Sequence, residues 1–183
     1  MRQADREGKD QGPSLRDALH QGQAGGGAHG LTAVRRRALI LYGTAAGVYG
    51  LDRVTKILAE RFLRDAPVEL IEGVLDLRFT TNPGGAFGIL GGIPWLFVAI
   101  SLVVVGVVVV ASTKTPALIT AIGLGLILGG ALGNLTDRAI RGPGFAGEVV
   151  DFIDLQIWPV FNLADSAIVI GAAVLFLSGL RRA

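Results

Sequence analysis

Two carboxylates carry the chemistry that this sequence offers. Asp165 lies in FNLADSAIVIG at the head of an apolar run, where an ionisable group is costly unless it is partnered or faces water. Asn162, three residues earlier, falls on the same helical face. Asp151 lies in EVVDFID, a short segment after several glycines. Each has a plain structural reading alone: Asp165 as a helix-start cap, Asp151 as a solvated loop carboxylate. Brought together they do more. Two adjacent carboxylates cannot both ionise cheaply, so one keeps a proton while the other acts as base on a water, the chemistry of an aspartic protease.

Other hydrolytic arrangements find few residues. The chain has no cysteine, and its only histidines, His20 and His29, fall in the polar N-terminal stretch, leaving no thiolate and no histidine for a membrane-embedded triad or metal site. A Ser-Lys pair is disfavoured, because Lys114 is expected on the opposite side of the membrane and Lys56 shares a helical face with Asp52 and Glu60 at i, i+4 and i+8. Asp52 and Lys56 read as a structural ion pair. GNLTDR places Asn134 and Arg138 on one face with Asp137 beside them; composition alone makes this an interfacial cap with a snorkelling arginine. Asn82 precedes Pro-Gly-Gly, by itself a turn.

Membrane helices must position these residues. Of 183 residues, 51% are hydrophobic and 17% charged, too apolar for a soluble domain of this length. Residues 1–34, rich in Gly, Gln and charge, read as a disordered cytoplasmic tail, and 35–183 as one compact membrane domain. Arg35–Arg37 precede the apolar stretch Ala38–Leu51, read as a retained first helix that continues through LDRVTKILAERFL; its apolar part is short for a span. Ile93–Ala111 is a second span, about 28 Å as a helix. Residues 117–135, rich in Gly and Ala, form a third that neighbours can approach closely, and Val160–Leu180 a fourth. LDLRF at Leu75–Phe79 alternates as a half-buried strand should, and 139–159 reads as a loop. The expected fold is therefore an all-α membrane protein with four transmembrane helices and a small extracytoplasmic β element. Arg35–Arg37, Lys114, Arg181 and Arg182 place both termini inside, and the acidic loops containing Asp65, Glu69, Glu72, Asp76, Glu148, Asp151 and Asp154 face outward. The net charge of +2 is small and gives no support to nucleic-acid binding.

The ordered series DRVTK, NPGGAFG, GNLTDR, VVDF and FNLADSAI, spread over residues 38–180, resembles lipoprotein signal peptidase (signal peptidase II). The resemblance implies an endopeptidase that cleaves prolipoproteins before a diacylglyceryl-modified cysteine, at the outer face of a bacterial cytoplasmic membrane, with lipid as its surroundings, no metal or cofactor, and a monomeric state. It assigns the catalytic dyad to Asp151 and Asp165, the substrate site to Asn82, Asn134, Arg138 and Asn162, and structural support to Asp137. Asp154 is the neighbour most easily confused with Asp151. The chain departs from many relatives at Gly85, where they have alanine, and in the Gly/Pro-rich RGPGFAGE. Two alternatives stay open on the residues alone: a transporter or channel subunit, which requires polar groups at mid-membrane depth, and a noncatalytic scaffold, in which the carboxylates are only caps.

Overall fold

The computed structural model describes residues 15–84, 94–114 and 117–181. Helix α1 (Leu15–Phe62) is followed by strands β1 (Val68–Ile71) and β2 (Leu75–Asn82), helices α2 (Pro94–Ser112) and α3 (Leu118–Ile140), strand β3 (Val149–Asp154) and helix α4 (Leu163–Leu180). Helices α2, α3 and α4 are long and apolar enough to cross a membrane. The charges at Arg35–Arg37 and Asp52–Lys56 confine the apolar stretch of α1 to Ala38–Leu51, so α1 falls outside that group. It also begins at Leu15, inside the stretch expected to be an irregular tail, because a formed helix extends by one hydrogen bond for each residue it fixes. Residues 1–14 lie outside the described part.

The centre of the packing is α3, whose small residues let its neighbours close in. A Cβ at Gly125 would stand 2.6 Å from the Leu41 carbonyl of α1, and one at Gly130 would stand 2.5 Å from the Ala164 carbonyl of α4. Backbone approach of this kind substitutes for hydrophobic driving force where lipid is the solvent. Leu41, Ala45, Asp52, Lys56 and Ala59 are all buried on α1. Their spacing is that of a single helical face, so the face that packs apolar carbons at one end delivers an ion pair at the other.

The sheet is antiparallel in the order β1-β2-β3. Beneath it, Phe152 of β3 packs with Ala59 and Leu63, joined by Leu77 and Phe79 of β2, which fastens the sheet to the C-terminal end of α1. Three sequence expectations change here. VVDFID is a strand rather than a loop, and five of its six residues are buried; a strand covered on both faces shows no alternation from which to recognise it. Strand β2 extends past Phe79 to Asn82, and α3 runs on to Ile140, so GNLTDR is the final part of a helix and not its boundary. A 3-10 turn at Pro143–Phe145 and the Gly147 amide, which donates to the Arg138 carbonyl at 3.1 Å, return the chain to β3.

Candidate active site

Asp151 and Asp165 arrive from different elements and are joined by one side chain. Asp151 is on β3, opposite Thr80 of β2, and 2% exposed. Asp165 is in the first turn of α4, where it forms a reciprocal cap with Asn162: its backbone N–H donates to Asn162 Oδ1 at 2.9 Å, and its Oδ2 accepts from the Asn162 N–H at 3.2 Å. This is the pairing by which an N-cap residue and the residue three positions on satisfy two otherwise orphaned amides. The bond fixes the Asn162 carbonyl toward α4 and so turns its amide nitrogen toward β3, where Nδ2 donates to Asp151 Oδ1 at 2.6 Å and to the Val150 carbonyl at 3.2 Å.

The other two asparagines are oriented in the same way, each by a donor that only a carbonyl can accept. Asn82 Oδ1 takes the Gly84 N–H at 2.9 Å, leaving Nδ2 to donate to Asp151 Oδ2 at 3.0 Å. Asn134 Oδ1 takes the Lys56 ammonium at 2.9 Å and Asn162 Nδ2 at 3.2 Å, leaving its Nδ2 to donate to Asp165 Oδ1 at 2.8 Å. All four carboxylate oxygens of the pair therefore receive an N–H. Even so, burial pushes the Asp151 carboxyl up to about 7, with the Asp165 charge adding to the rise and the Asn82 and Asn162 amides partly offsetting it.

A cavity of about 340 Å³ opens onto the pair, lined by Asp151, Asp165, Asn82, Asn134 and Arg138 together with apolar side chains that include Phe97. The Arg138 guanidinium interacts electrostatically with both carboxylates and lies over the Phe97 ring, 5.3 Å from its centroid. Its Nε and Nη1 are buried without a hydrogen-bond partner, so the cavity holds unspent donors.

Behind the pair lies a buried ionic cluster. The Lys56 ammonium is 2.9 Å from both Asp52 Oδ2 and Asp137 Oδ2. Asp137 also pairs with Arg53 and with Arg141, and takes the Val150 N–H at 3.3 Å. Asp52 takes the Ala164 N–H at 3.0 Å, tying α1 to the start of α4.

Of the residues singled out in the sequence, Asn82, Asn134, Arg138, Asp151 and Asp165 meet at one cavity. Asn162 stands behind them, fully buried, and joins the two carboxylates. Asp154 is occupied elsewhere, accepting from Arg78 Nε at 2.5 Å and from the Gln156 N–H at 2.9 Å. Glu60 pairs with Arg64 and Arg141, and it is Asp137 that joins Asp52 at Lys56. Helical periodicity could not have shown that contact, because it crosses from α1 to α3. Arg53, Arg141 and Phe97 were not singled out; only Arg53, beside Asp52 in DRVTK, carried a local signal. Gly85 lies outside the described residues.

The sequence pattern that defines signal peptidase II (peptidase A8) matches residues 44–181. The chain belongs to the signal peptidase II family. It is 47% identical over 144 residues to a lipoprotein signal peptidase of Rhodococcus jostii (strain RHA1), covering 76% of this chain and 72% of that one. To a lipoprotein signal peptidase of Desulfitobacterium hafniense (strain DSM 10664 / DCB-2) it is 41% identical over 143 residues, 76% of this chain and 91% of the relative. A solved bacterial membrane enzyme, determined by the in meso method at 2.3 Å resolution, superposes on 75% of the chain and 85% of its own, with a TM-score of 0.66 and 34% identity. This signal peptidase II family member is accordingly membrane-embedded, with its polar residues gathered where the sheet meets the ends of α1, α3 and α4.

Proposed function

We propose that this family member removes signal peptides from prolipoproteins by aspartic chemistry, cleaving the peptide bond before the diacylglyceryl-modified cysteine with Asp151 and Asp165 as the catalytic pair. The observation that carries the reading is the pair itself: a buried carboxylate and a half-buried one linked through Asn162, opening on one cavity, with the Asp151 carboxyl pushed up to about 7. A carboxyl raised that far holds a proton near neutrality, as the acid of an acid-base hydrolysis must.

In the reaction, ionised Asp165 takes a proton from a water whose oxygen bonds to the scissile carbonyl carbon. The Asp151 proton passes to the carbonyl oxygen, giving a neutral tetrahedral diol. Its collapse breaks the C–N bond, the proton taken up by Asp165 goes to the leaving amine, and a diol hydroxyl proton returns to Asp151. Asn82, Asn134 and the free N–H groups of Arg138 hold substrate oxygens in the cavity, and Asn162 fixes the spacing of the pair, a positioning role more than a direct substrate contact. Asp52, Lys56 and Asp137 support the arrangement from behind.

The topology that fits is four spans, with Ala38–Leu51 within α1 as the first, both termini cytoplasmic, and the sheet and catalytic pair at the outer face of a bacterial cytoplasmic membrane. The substrate's acyl chains then stay in the bilayer, and the enzyme works as a monomer on its lipidated substrate. Membership of a peptidase family favours hydrolysis over an ion path, and polar residues gathered at the sheet suit an interfacial reaction. The test is cleavage of a diacylglyceryl-modified prolipoprotein by the purified protein in detergent, with Asp151→Asn and Asp165→Asn compared against wild type. Loss of cleavage in both folded variants is expected; full activity in either removes that carboxylate from the reaction.

A further inference from the structure

Lys56 stands outside the cavity, yet two hydrogen bonds in series, through Asn134, connect it to the catalytic pair. Its side chain is fully buried, as are those of Asp52 and Asp137, whose carboxylates lie 2.9 Å from its ammonium. A purely structural ion pair would end there. Instead, the ammonium also donates to Asn134 Oδ1 at 2.9 Å, and Asn134 Nδ2 donates onward to Asp165 Oδ1 at 2.8 Å. An ammonium has donors only and an amide has one donor end and one acceptor end. With the lysine in place, Asn134 thus has one orientation in which both contacts are made. Reversing the amide would set an NH2 against the ammonium and a carbonyl against the carboxylate, two repulsive contacts in a buried site.

We infer that Lys56 is a positioning residue for the proposed hydrolysis: it locks the Asn134 amide so that its N–H is presented to Asp165, and this action rests on the reading of Asp165 as a member of the catalytic pair. Asp52 and Asp137 hold the ammonium in place, and Arg53 and Arg141, both paired with Asp137, leave the second carboxylate compensated. The route runs from α1 through α3 to α4, and of the two donors on Asn134 Oδ1 the Lys56 ammonium, at 2.9 Å, is the closer and the charged one, with Asn162 Nδ2 at 3.2 Å.

Lys56→Met alone strands a buried carboxylate, so the informative variant is Asp52→Asn/Lys56→Met, which removes one charge of each sign. Steady-state cleavage of a diacylglyceryl-modified prolipoprotein is measured for this variant, for Asn134→Ala and for the triple combination. The expected result is a kcat lower by roughly 10- to 100-fold with KM within about twofold, and no further loss of kcat when Asn134→Ala is added, because residues acting through one contact are non-additive. An unchanged kcat, or losses that multiply, overturns the inference. Inactive wild type, or an active Asp165→Asn, would instead remove the catalytic reading on which it rests. A measurement on protein with Lys56 intact covers the case of a variant that does not fold. In asparagine-15N-labelled protein, the side-chain amide signal that disappears in Asn134→Ala must show one downfield, exchange-protected proton, and an amide pair exchanging at the solvent rate overturns the inference.

Discussion

Asp151 is the residue whose environment most departs from that of an ordinary carboxyl, and this gives the reaction a pH limit. Its proton is held below about pH 7 and lost above it, so that no acid then remains at Asp151 to protonate the scissile carbonyl oxygen. Cleavage is expected to fall roughly tenfold per pH unit above that point, read as kcat against pH with substrate saturating; a rate that keeps rising to pH 9 contradicts this assignment of the acid. At Arg138, Arg138→Met removes the unspent donors while keeping an unbranched apolar side chain beside Phe97, and is expected to lower kcat/KM by about 100-fold while leaving the unfolding temperature nearly unchanged. Asp165 stood out in the sequence because an aspartate at the head of an apolar run requires a reason, whereas Asp151, expected on a loop, was singled out through the VVDF motif. What the sequence withheld was the direction of each asparagine. That is set by Gly84 N–H, Lys56 and the Asp165 backbone, and only the last of these is a helical neighbour that spacing could identify.

Among the elements, α3 has the least freedom to change. Gly129→Val would place a branched side chain where a Cβ already comes 2.6 Å from the Ala45 carbonyl. Overpacking of this kind costs about 2 kcal/mol and is expected to lower the unfolding temperature by roughly 5 °C. Gly43→Ala, on α1 with nothing within 4 Å, is the control and is expected to leave that temperature unchanged or raise it slightly. Thermal unfolding in one detergent, followed by intrinsic fluorescence, separates the two. The apolar helices were legible to within a few residues, since length and hydropathy define them, and so was the Gly/Ala face of α3. Strand β3 was not, because its cover comes from distant elements, and Asp151 was accordingly expected on a loop.

For the molecule as a whole, the absence of cysteine in all 183 residues makes topology directly measurable. Single cysteines at Glu72 and Lys114 are expected to react with a membrane-impermeant maleimide from opposite sides, Glu72 from outside intact cells and Lys114 only after the membrane is opened. Labelling of both from one side contradicts the four-span arrangement, whose least legible member was α1, with its charges set into the inward face. The residues of the cavity and of the ionic cluster behind it divide between the two sides of the connection from α2 to α3. Asp52, Lys56 and Asn82 precede that connection, whereas Asn134, Arg138, Asp151 and Asp165 follow it. Severed there, the gene would encode two halves, one with both carboxylates and one with Asn82, which donates to Asp151, and Lys56, which donates to Asn134. Co-expression of the halves would then make peptide cleavage a reporter of their reunion inside the membrane.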